Sequence, residues 1–350
     1  MLRVDRIDRQ LRALSKPSLE ALTSFRPAGD YCLVVCAGFE DRALAFLEEA
    51  TRAQVRKGHV VIVNYIPVLP ENKLAETRRK CEDAGLSYEV VDYDREDVSG
   101  FGDLMCSKLH PCLGRLYLDV SGMSRLLIVQ ILVALGSRPG ALEKCSVLYA
   151  EATDYPPSEE EFEAEMKRLD IDPLRTVMLL SSGVFDIQVV PELASTSYDG
   201  QQTRLVAFPS FNTDQLIALG NELQPSRYSI IHGVPPDPRR RWRTEAISRL
   251  NHLERLQREE AYHTSTLDYR ETLDRLLEIY SRHGAGQRIL VAPTGSKMQS
   301  VAVGLFRAFV KDVQVVYPTA RDFTSRTNYT VGVRMLYHLP LDSFGLQANR

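Results

Sequence analysis

The sequence lacks most of the patterns by which an enzyme class or a metal site is recognised. It contains no GxSxG or HExxH motif, and no P-loop in the order G-x-x-x-x-G-K-[ST]. Its six cysteines include no CxxC pair and no His/Cys spacing suited to zinc, so we expect free buried thiols in a reducing cytoplasm. The sequence therefore predicts no metal and no cofactor, and catalytic residues stay unknown.

Long apolar runs and a strong excess of either charge are also missing. No run reaches the roughly 18 apolar residues of a membrane span, which predicts that a membrane is not a partner. The formal net charge is −3 at pH 7, so any nucleotide binding has to come from a local basic patch. The chain has 350 residues, of which 44% are hydrophobic, and this is enough for two globular domains.

The sequence contains an internal repeat, in which the two halves share one order of predicted strands, turns and helices. Residues 33–50 and 205–223 each predict an apolar strand, a small-residue turn that ends in Phe39 or Phe211, and an amphipathic helix. Five further correspondences follow in the same order in both halves, which indicates a duplicated unit. Apolar β-rich runs alternate with helical segments within each half. This alternation predicts an α/β fold with two tandem Rossmann-like lobes, each a mostly parallel sheet flanked by helices.

The repeat also predicts where the lobes begin and end. Lobe one is expected at residues 30–197 and lobe two at 203–345, with the polar stretch 195–203 as the linker. Residues 1–29 are expected to form an N-terminal helical extension. The acidic stretch 156–170 has no counterpart in the second half, so we expect an inserted, solvated helix that lies outside any phosphate site.

Each half places a glycine-bearing turn, residues 119–125 or 293–297, between an apolar strand and a helix. Ligands of open α/β sheets bind beyond the carboxyl ends of the strands, where helix N-termini attract anions and glycine permits close approach. Ordinary helix caps followed by an exposed cation are the alternative interpretation. The predicted ligand-binding residues are Gly38, Phe39, Ser121, Gly122, Met123, Ser124, Arg125, Ser210, Phe211, Thr294, Gly295, Ser296 and Lys297.

The first turn carries a resemblance to a known family. Asp119-x-Ser121-x-x-x-Arg125 fits the [DN]-x-[ST]-x-x-x-[RK] signature that follows the fourth strand of CRISPR-associated Rossmann-fold (CARF) domains. The second turn resembles the same region, although Ala292 replaces the acidic residue and Lys297 comes one position early. CARF-like domains and their fused two-lobe SAVED relatives bind cyclic oligonucleotides or related second messengers. The resemblance thus implies a cleft between two lobes that binds such a ligand.

Three functions follow as hypotheses. The first is binding of a phosphate-rich, cyclic nucleotide in prokaryotic anti-phage or CRISPR-linked signalling, with output through a protein effector partner or through homo-oligomerisation. The second is a metal-independent ring nuclease that cleaves the bound ligand, with Arg125 or Lys297 stabilising the developing charge. The third is a structural subunit of a defence complex whose ligand site is degenerate, which the asymmetry of the two turns would explain.

Two further groups of residues leave alternatives open. Arg239–Arg243 surrounds Trp242, the single tryptophan, and suits either phosphate binding with base stacking or a solvated helix start with the indole packed inward. Asp92–Tyr93 and Asp268–Tyr269 stand at corresponding strand ends. They could contact a ligand or cap the next helix.

Overall fold

The structure is a computed structural model that describes most of the chain. It describes residues 13–27, 29–53, 58–109, 114–172, 179, 181–195, 200–252, 259–323 and 330–346. Contacts divide the chain into two compact units. Unit 1 comprises residues 1–155 and 327–350, and unit 2 comprises residues 156–326.

Fifteen strands occur in the described residues. In chain order they are β1 (Leu14–Ser15), β2 (Glu20–Leu22), β3 (Tyr31–Cys36), β4 (Gly58–Ile66), β5 (Ser87–Asp94), β6 (Arg115–Asp119), β7 (Cys145–Glu151), β8 (Ser181–Val189), β9 (Gln202–Ala207), β10 (Arg227–Val234), β11 (Glu259–Ser265), β12 (Gln287–Ala292), β13 (Gln314–Phe323), β14 (Met335–Pro340) and β15 (Gly345–Leu346).

Nine α-helices occur in the same part of the chain. They are α1 (Ala45–Arg52), α2 (Leu74–Ala84), α3 (Phe101–Leu109), α4 (Arg125–Gly136), α5 (Glu159–Ile171), α6 (Thr213–Leu223), α7 (Trp242–Leu250), α8 (Tyr269–His283) and α9 (Lys297–Phe309). Short 3-10 helices span Asp41–Leu44, Leu142–Lys144, Pro191–Leu193 and Pro238–Arg240.

The two units share one strand order. The described strands of unit 1 form a sheet in the order β2-β14-β7-β6-β3-β4-β5, and those of unit 2 form the order β11-β10-β9-β12-β13-β8. In each sheet the first five strands of the repeat are parallel, namely β3 to β7 in unit 1 and β9 to β13 in unit 2. The predicted α/β fold, with two Rossmann-like lobes that fit a duplication, is confirmed.

Helices cover both faces of the sheet in unit 1. All six residues of β3 are buried, so the odd and even side chains both have protein against them. Phe46 and Leu47 of α1 and Cys81 of α2 share one apolar core with Leu33 of β3. In unit 2 the last four residues of β9 are buried in the same way. In both units the carboxyl end of the first strand is therefore buried within the protein.

The last strand of each repeat lies in the sheet of the other repeat. β8 follows the first half in sequence but pairs antiparallel with β13, from Val189↔Val316 to Ser181↔Phe323. β14 ends the second half but pairs antiparallel with β7. The unit boundaries therefore differ from the predicted lobes at 30–197 and 203–345. Both terminal strands carry the same apolar pattern and both sheets offer the same free edge, so sequence periodicity could not assign them.

The N-terminal prediction was wrong where it can be compared. Residues 14–15 and 20–22 form β1 and β2, and β2 pairs antiparallel with β14 instead of forming a helix. Residues 1–12 of the predicted extension lie outside the described residues, as do residues 196–199 of the predicted linker. The acidic stretch does form a helix, α5, but it belongs to unit 2 instead of lobe one.

Two expectations about the whole chain can be compared with the structure. Among the described residues, no helix has the length and apolarity that crossing a membrane would require. Cys32, Cys36, Cys81, Cys106 and Cys145 are buried free thiols, and Cys112 lies outside the described residues. Burial raises the pKa of the Cys81 thiol to about 11, so that this thiol is protonated and unreactive at neutral pH.

Candidate functional site at the carboxyl ends of the sheets

In unit 1 the turns after β3 and β6 meet. The chain leaves β3 toward β4 on one side, whereas β6 and β7 lie on the other side, so the strand order reverses between β3 and β6. A Cβ placed on Gly38 would lie 3.3 Å from the carbonyl oxygen of Gly122. A Cβ on Gly122 would lie 2.7 Å from Cβ of Ala43 and 3.0 Å from the carbonyl oxygen of Cys36. Ligands of doubly wound folds bind at such a switch point, and here two glycines allow the backbones to touch.

The hydroxyl groups of this turn are used within the protein. Ser121 is fully buried, and its Oγ accepts a hydrogen bond from the backbone N–H of Ala150 at 2.8 Å. Ser124 caps α4, because its Oγ accepts from the N–H of Leu127 at 3.2 Å. Met123 is 1% exposed and packs in the core. These three predicted ligand residues therefore shape the turn, and their side chains are not offered to a ligand.

The side chains of Asp119 and Tyr65 hold the same turn by hydrogen bonds. The side chain of Asp119 accepts from the N–H of Ser121 at 2.9 Å, and the N–H of Ser124 donates to the hydroxyl of Tyr65. Burial raises the pKa of Tyr65 well above its ordinary value, so the phenol stays neutral. The ring of Tyr65 meets the ring of Tyr93 edge to face at 5.6 Å. The turn is thus held by side chains from β4 and β6 together.

Unit 2 repeats the arrangement at β9 and β12. The hydroxyl of Thr294 donates to the carbonyl oxygen of Phe208 at 2.5 Å, which ties the turn after β12 to the turn after β9. A Cβ on Gly295 would lie 3.1 Å from Cβ of Phe208. Ser296 and Gln299 form a capping box at the start of α9, and Ser296 Oγ also donates to the carbonyl of Thr266 at 2.7 Å.

The two cations occupy equivalent positions. Arg125 is the first residue of α4 and follows the cap Ser124, and Lys297 is the first residue of α9 and follows the cap Ser296. Relative to its glycine, Lys297 lies one position earlier than Arg125 does, because the second turn has one residue fewer between its glycine and its cap. Both side chains are half-buried.

The predicted contacts after the first strand of each unit differ. Phe39 is half-buried in unit 1. Phe211 is only 4% exposed, since its ring packs on Phe162 of α5 and on Trp242 of α7, with centroids 6.0 and 6.3 Å away. Ser210 turns toward its own loop, and its Oγ donates to Gln215 at 3.0 Å. Because Phe211 packs against α5, a ligand site that includes Phe211 would also lie against α5. The prediction that Phe211 binds a ligand and the prediction that residues 156–170 lie outside the site therefore cannot both hold.

The cluster around Trp242 supports the structural interpretation of that segment. The indole lies among Phe162 and Phe211, and the guanidinium of Arg243 lies 4.7 Å from the centre of the Phe211 ring. Arg243 also donates to the carbonyl oxygens of Pro156 and Pro157 at 3.1 and 2.9 Å. Arg239 pairs with Asp237 at 2.8 Å and is largely exposed.

The paired strand-end motifs have separate roles. Asp268 caps α8 through the N–H of Arg270 at 3.0 Å. Burial alone would raise the pKa of Asp268, but the hydrogen bonds from Arg270 lower it. Asp92 instead accepts from Nδ2 of Asn64 at 2.8 Å. Tyr93 and Tyr269 are buried.

Sequence reasoning missed Arg42. It follows β3 in a 3-10 turn and is 4% exposed, and it donates to Glu40 at 2.8 Å and to the carbonyl oxygen of Ala150 at 3.1 Å. Burial alone would lower its pKa, but the Glu40 carboxylate outweighs burial and raises it, so the guanidinium is charged. Ala150 is also the residue whose N–H holds Ser121. No local pattern signals this role, because apart from Glu40 the partners of Arg42, namely Tyr149, Ala150 and Tyr155, lie more than a hundred residues away in sequence.

No set of metal-ligating side chains is found in the part of the chain that the structure describes. No group of three or more His, Cys, Asp or Glu side chains is arranged there to hold an ion.

Comparison with known proteins gives no family. No family model matches the chain, and no curated protein matches it significantly. Among solved structures, the chain is similar to the cytoplasmic domain of a prokaryotic cation chloride cotransporter, with 9% identity, coverage of 91% of this chain and 98% of that one, and a TM-score of 0.26. It is also similar to a ketoreductase domain from the bacillaene assembly line (12% identity, 86% and 72% coverage, TM-score 0.19). A third is Anabaena HepE in complex with UDP and glucose (10% identity, 91% and 94% coverage, TM-score 0.21). TM-scores this low carry no argument about function.

Proposed function

We propose that the chain binds a phosphate-bearing nucleotide, of the cyclic second-messenger kind, at the switch points of its two sheets. One observation carries the proposal. In both units, a glycine turn lies where the strand order reverses and leads into a capped helix whose first residue is a cation. The carboxyl end of an open α/β sheet and the N-terminus of a helix are each favourable for phosphate, and the chain combines them twice.

The internal bonds of the turns define which groups would meet the phosphate. The hydroxyls of Ser121, Ser124 and Thr294 are bonded within the protein. The N–H groups of Ser124 and Leu127 in unit 1, and of Ser296 and Gln299 in unit 2, are bonded within the protein as well. The proposal therefore assigns the phosphate to the dipole and first-turn N–H groups of α4 and α9 and to the cations Arg125 and Lys297 that begin these helices. The resemblance of residues 119–125 to the CARF signature supports a cyclic oligonucleotide as the ligand, in prokaryotic anti-phage or CRISPR-linked signalling through an effector partner.

The direct test is a binding panel. The purified chain would be mixed with cyclic dinucleotides, with cyclic oligoadenylates of increasing ring size and with linear oligoadenylates, and bound and free ligand would be separated by equilibrium dialysis. We expect submillimolar binding of at least one cyclic member and weaker binding of its linear form. If none of these nucleotides is retained, and no phosphorus compound is released from the purified protein, the proposal is contradicted.

The same samples test whether the ligand is cleaved. Chromatography of the recovered nucleotide separates the intact ring from its linear product. Recovery of intact ring after prolonged incubation supports a sensor, whereas linear product without added metal supports a ring nuclease.

A further inference from the structure

The carboxyl end of β4 in unit 1 holds a buried acceptor that has no partner. Asn64 is 5% exposed, and its Nδ2 donates to Oδ1 of Asp92 at 2.8 Å. This bond fixes the amide orientation, because the opposite orientation would set the amide oxygen against a carboxylate. Oδ1 of Asn64 is buried and accepts no hydrogen bond from the residues that the structure describes. A buried oxygen of this kind is costly and calls for a reason.

A buried donor without a partner lies in the loop that follows β4. Nδ2 of Asn72 is buried and donates to none of the described residues. The backbone of Asn72 is fixed, since its N–H donates to the carbonyl oxygen of Leu69 at 3.0 Å. The next N–H, of Lys73, donates to the carbonyl oxygen of Gly38 at 3.3 Å. The loop that carries this donor is therefore bonded to a switch-point glycine.

A single group that satisfied both atoms would have to donate to Asn64 Oδ1 and accept from Asn72 Nδ2. A hydroxyl does both, whereas an ionised phosphate can only accept. The exposed Asp92 carboxylate beside Asn64 also disfavours an anion at this place. The sugar of a nucleotide carries such hydroxyls next to its phosphate.

Unit 2 has a different pair at the corresponding register. β4 pairs with β5 through Asn64↔Asp92, whereas β10 pairs with β11 through His232↔His263. The two histidine rings stack at 4.9 Å. The amide site is therefore a property of unit 1 alone.

We propose that Asn64 and Asn72 recognise a ribose hydroxyl of the nucleotide whose phosphate lies at the Gly38–Gly122 switch point. Asn64 Oδ1 accepts from the hydroxyl and Asn72 Nδ2 donates to it, while Asp92 holds the Asn64 amide in place. This inference rests on the proposed function and narrows its ligand to a ribonucleotide.

The test compares ribose and deoxyribose forms of one ring. Cyclic tri-, tetra- and hexa-adenylate, each in its ribo and its all-2′-deoxy form, would be titrated by calorimetry into the full chain. We expect the wild type to prefer the ribo form roughly ten-fold, because the deoxy form leaves a buried amide unsatisfied. Asn64→Leu and Asn72→Leu should bind both forms equally, at the affinity that the wild type has for the deoxy form.

Controls separate recognition from damage to the fold. Asn221→Leu replaces an exposed asparagine of α6 and should keep the ten-fold preference. Asn72 lies in a half-buried loop, so its variant reports even if Asn64→Leu fails to fold. Equal binding of ribo and deoxy rings by the wild type, or an unchanged preference in both variants, would overturn the inference and leave the proposed function standing. If none of the six rings binds, the ribo and deoxy forms of the ring that the binding panel selects are compared instead, and only the absence of binding across that whole panel would remove both.

Discussion

The turn after β6 in unit 1 and the turn after β12 in unit 2 have the same construction but are supported differently. The first is braced from a distance, by Tyr65 of β4 and by Ala150 of β7, which Arg42 holds in turn. The second is braced by the capping box of Ser296 and Gln299, and by bonds from the Thr294 and Ser296 hydroxyls to the carbonyl oxygens of Phe208 and Thr266. A duplicated geometry can thus be maintained by unrelated contacts, so that matched substitutions should affect the two units unequally.

The loops after the first strands differ in their cover. In unit 2 this loop lies under α5 through the contact between Phe162 and Phe211. In unit 1 the position of Asp214 is taken by Arg42, a buried cation that binds Glu40, whereas Asp214 accepts from the N–H of Gly183 at 2.7 Å. The two loops therefore differ in charge as well as in cover, since unit 1 has a buried Arg42–Glu40 ion pair where unit 2 has a carboxylate bonded to the backbone.

The largest loss of stability is expected when Phe162, through which α5 packs on the loop after β9, is truncated. Phe162 is 2% exposed, so Phe162→Ala should lower the free energy of unfolding by about 3 kcal/mol through lost burial and a cavity. Trp242, the single tryptophan, lies beside Phe162, so its fluorescence reports the change in a urea titration. Phe185→Ala, at a side chain that is 58% exposed, is the matched control. A loss below about 1 kcal/mol would mean that α5 is a solvated helix after all.

Alanine at the two turn glycines sharpens the comparison next. Gly122→Ala would push a Cβ against Ala43 and the Cys36 carbonyl, both fixed, and should cost about 2–3 kcal/mol. Gly295→Ala would displace the end of the buried Gln299 side chain, whose Oε1 accepts from the N–H of Ser296, so it should cost about 1–2 kcal/mol through the loss of the capping box. Hydrogen exchange followed by mass spectrometry measures each unit separately. Equal costs would contradict the proposed difference in support.

A pH titration distinguishes the second strands of the two units. Burial, with a smaller contribution from His263, lowers the pKa of His232 to about 4, whereas an unfolded histidine titrates near 6.5. The unfolded state therefore binds the extra proton first, so stability is complete above about pH 6.5 and falls as the pH drops toward 4. At pH 5 the loss should be roughly 2 kcal/mol. His232→Gln should flatten this part of the curve, and an unchanged slope in the variant would exclude His232 as its source.

The smallest effects are expected at the helix caps. Ser124→Ala removes one capping bond and should cost about 1 kcal/mol. Ser296→Ala removes a capping bond and the bond to the Thr266 carbonyl, so it should cost somewhat more, about 1.5–2 kcal/mol. Thermal unfolding of the two variants against wild type checks the order. The reverse order would show that the distant braces of unit 1 depend on Ser124.

Much of the fold could be predicted from the sequence, because the repeat fixed the number and order of strands in each half. The exchange of β8 and β14 could not, since pairing partners across a free sheet edge are decided by tertiary contacts and not by periodicity. The β-structure of residues 14–22 was missed for a related reason, because a charged amphipathic pattern favours a helix until β14 offers an edge to pair with.

The candidate site was predicted in place but not in detail. Gly38, Gly122, Gly295 and the two cations lie at the switch points, because strand–turn–helix patterns locate sheet ends reliably. The burial of Ser121, Phe211 and Thr294 could not be foreseen, since it depends on Ala150, α5 and Phe208, which are distant in sequence.

The most direct test of the central claim is calorimetry of Arg125→Ala and Lys297→Ala with the cyclic nucleotide that the panel selects. Charge-assisted hydrogen bonds contribute roughly 1.5–3 kcal/mol each, so each variant should bind roughly ten- to hundred-fold more weakly at its own switch point. Arg52→Ala and Arg249→Ala, at exposed arginines of α1 and α7, should bind like wild type. Wild-type affinity in both Arg125→Ala and Lys297→Ala would show that the two turns are ordinary helix caps, and the proposed nucleotide sites would be contradicted.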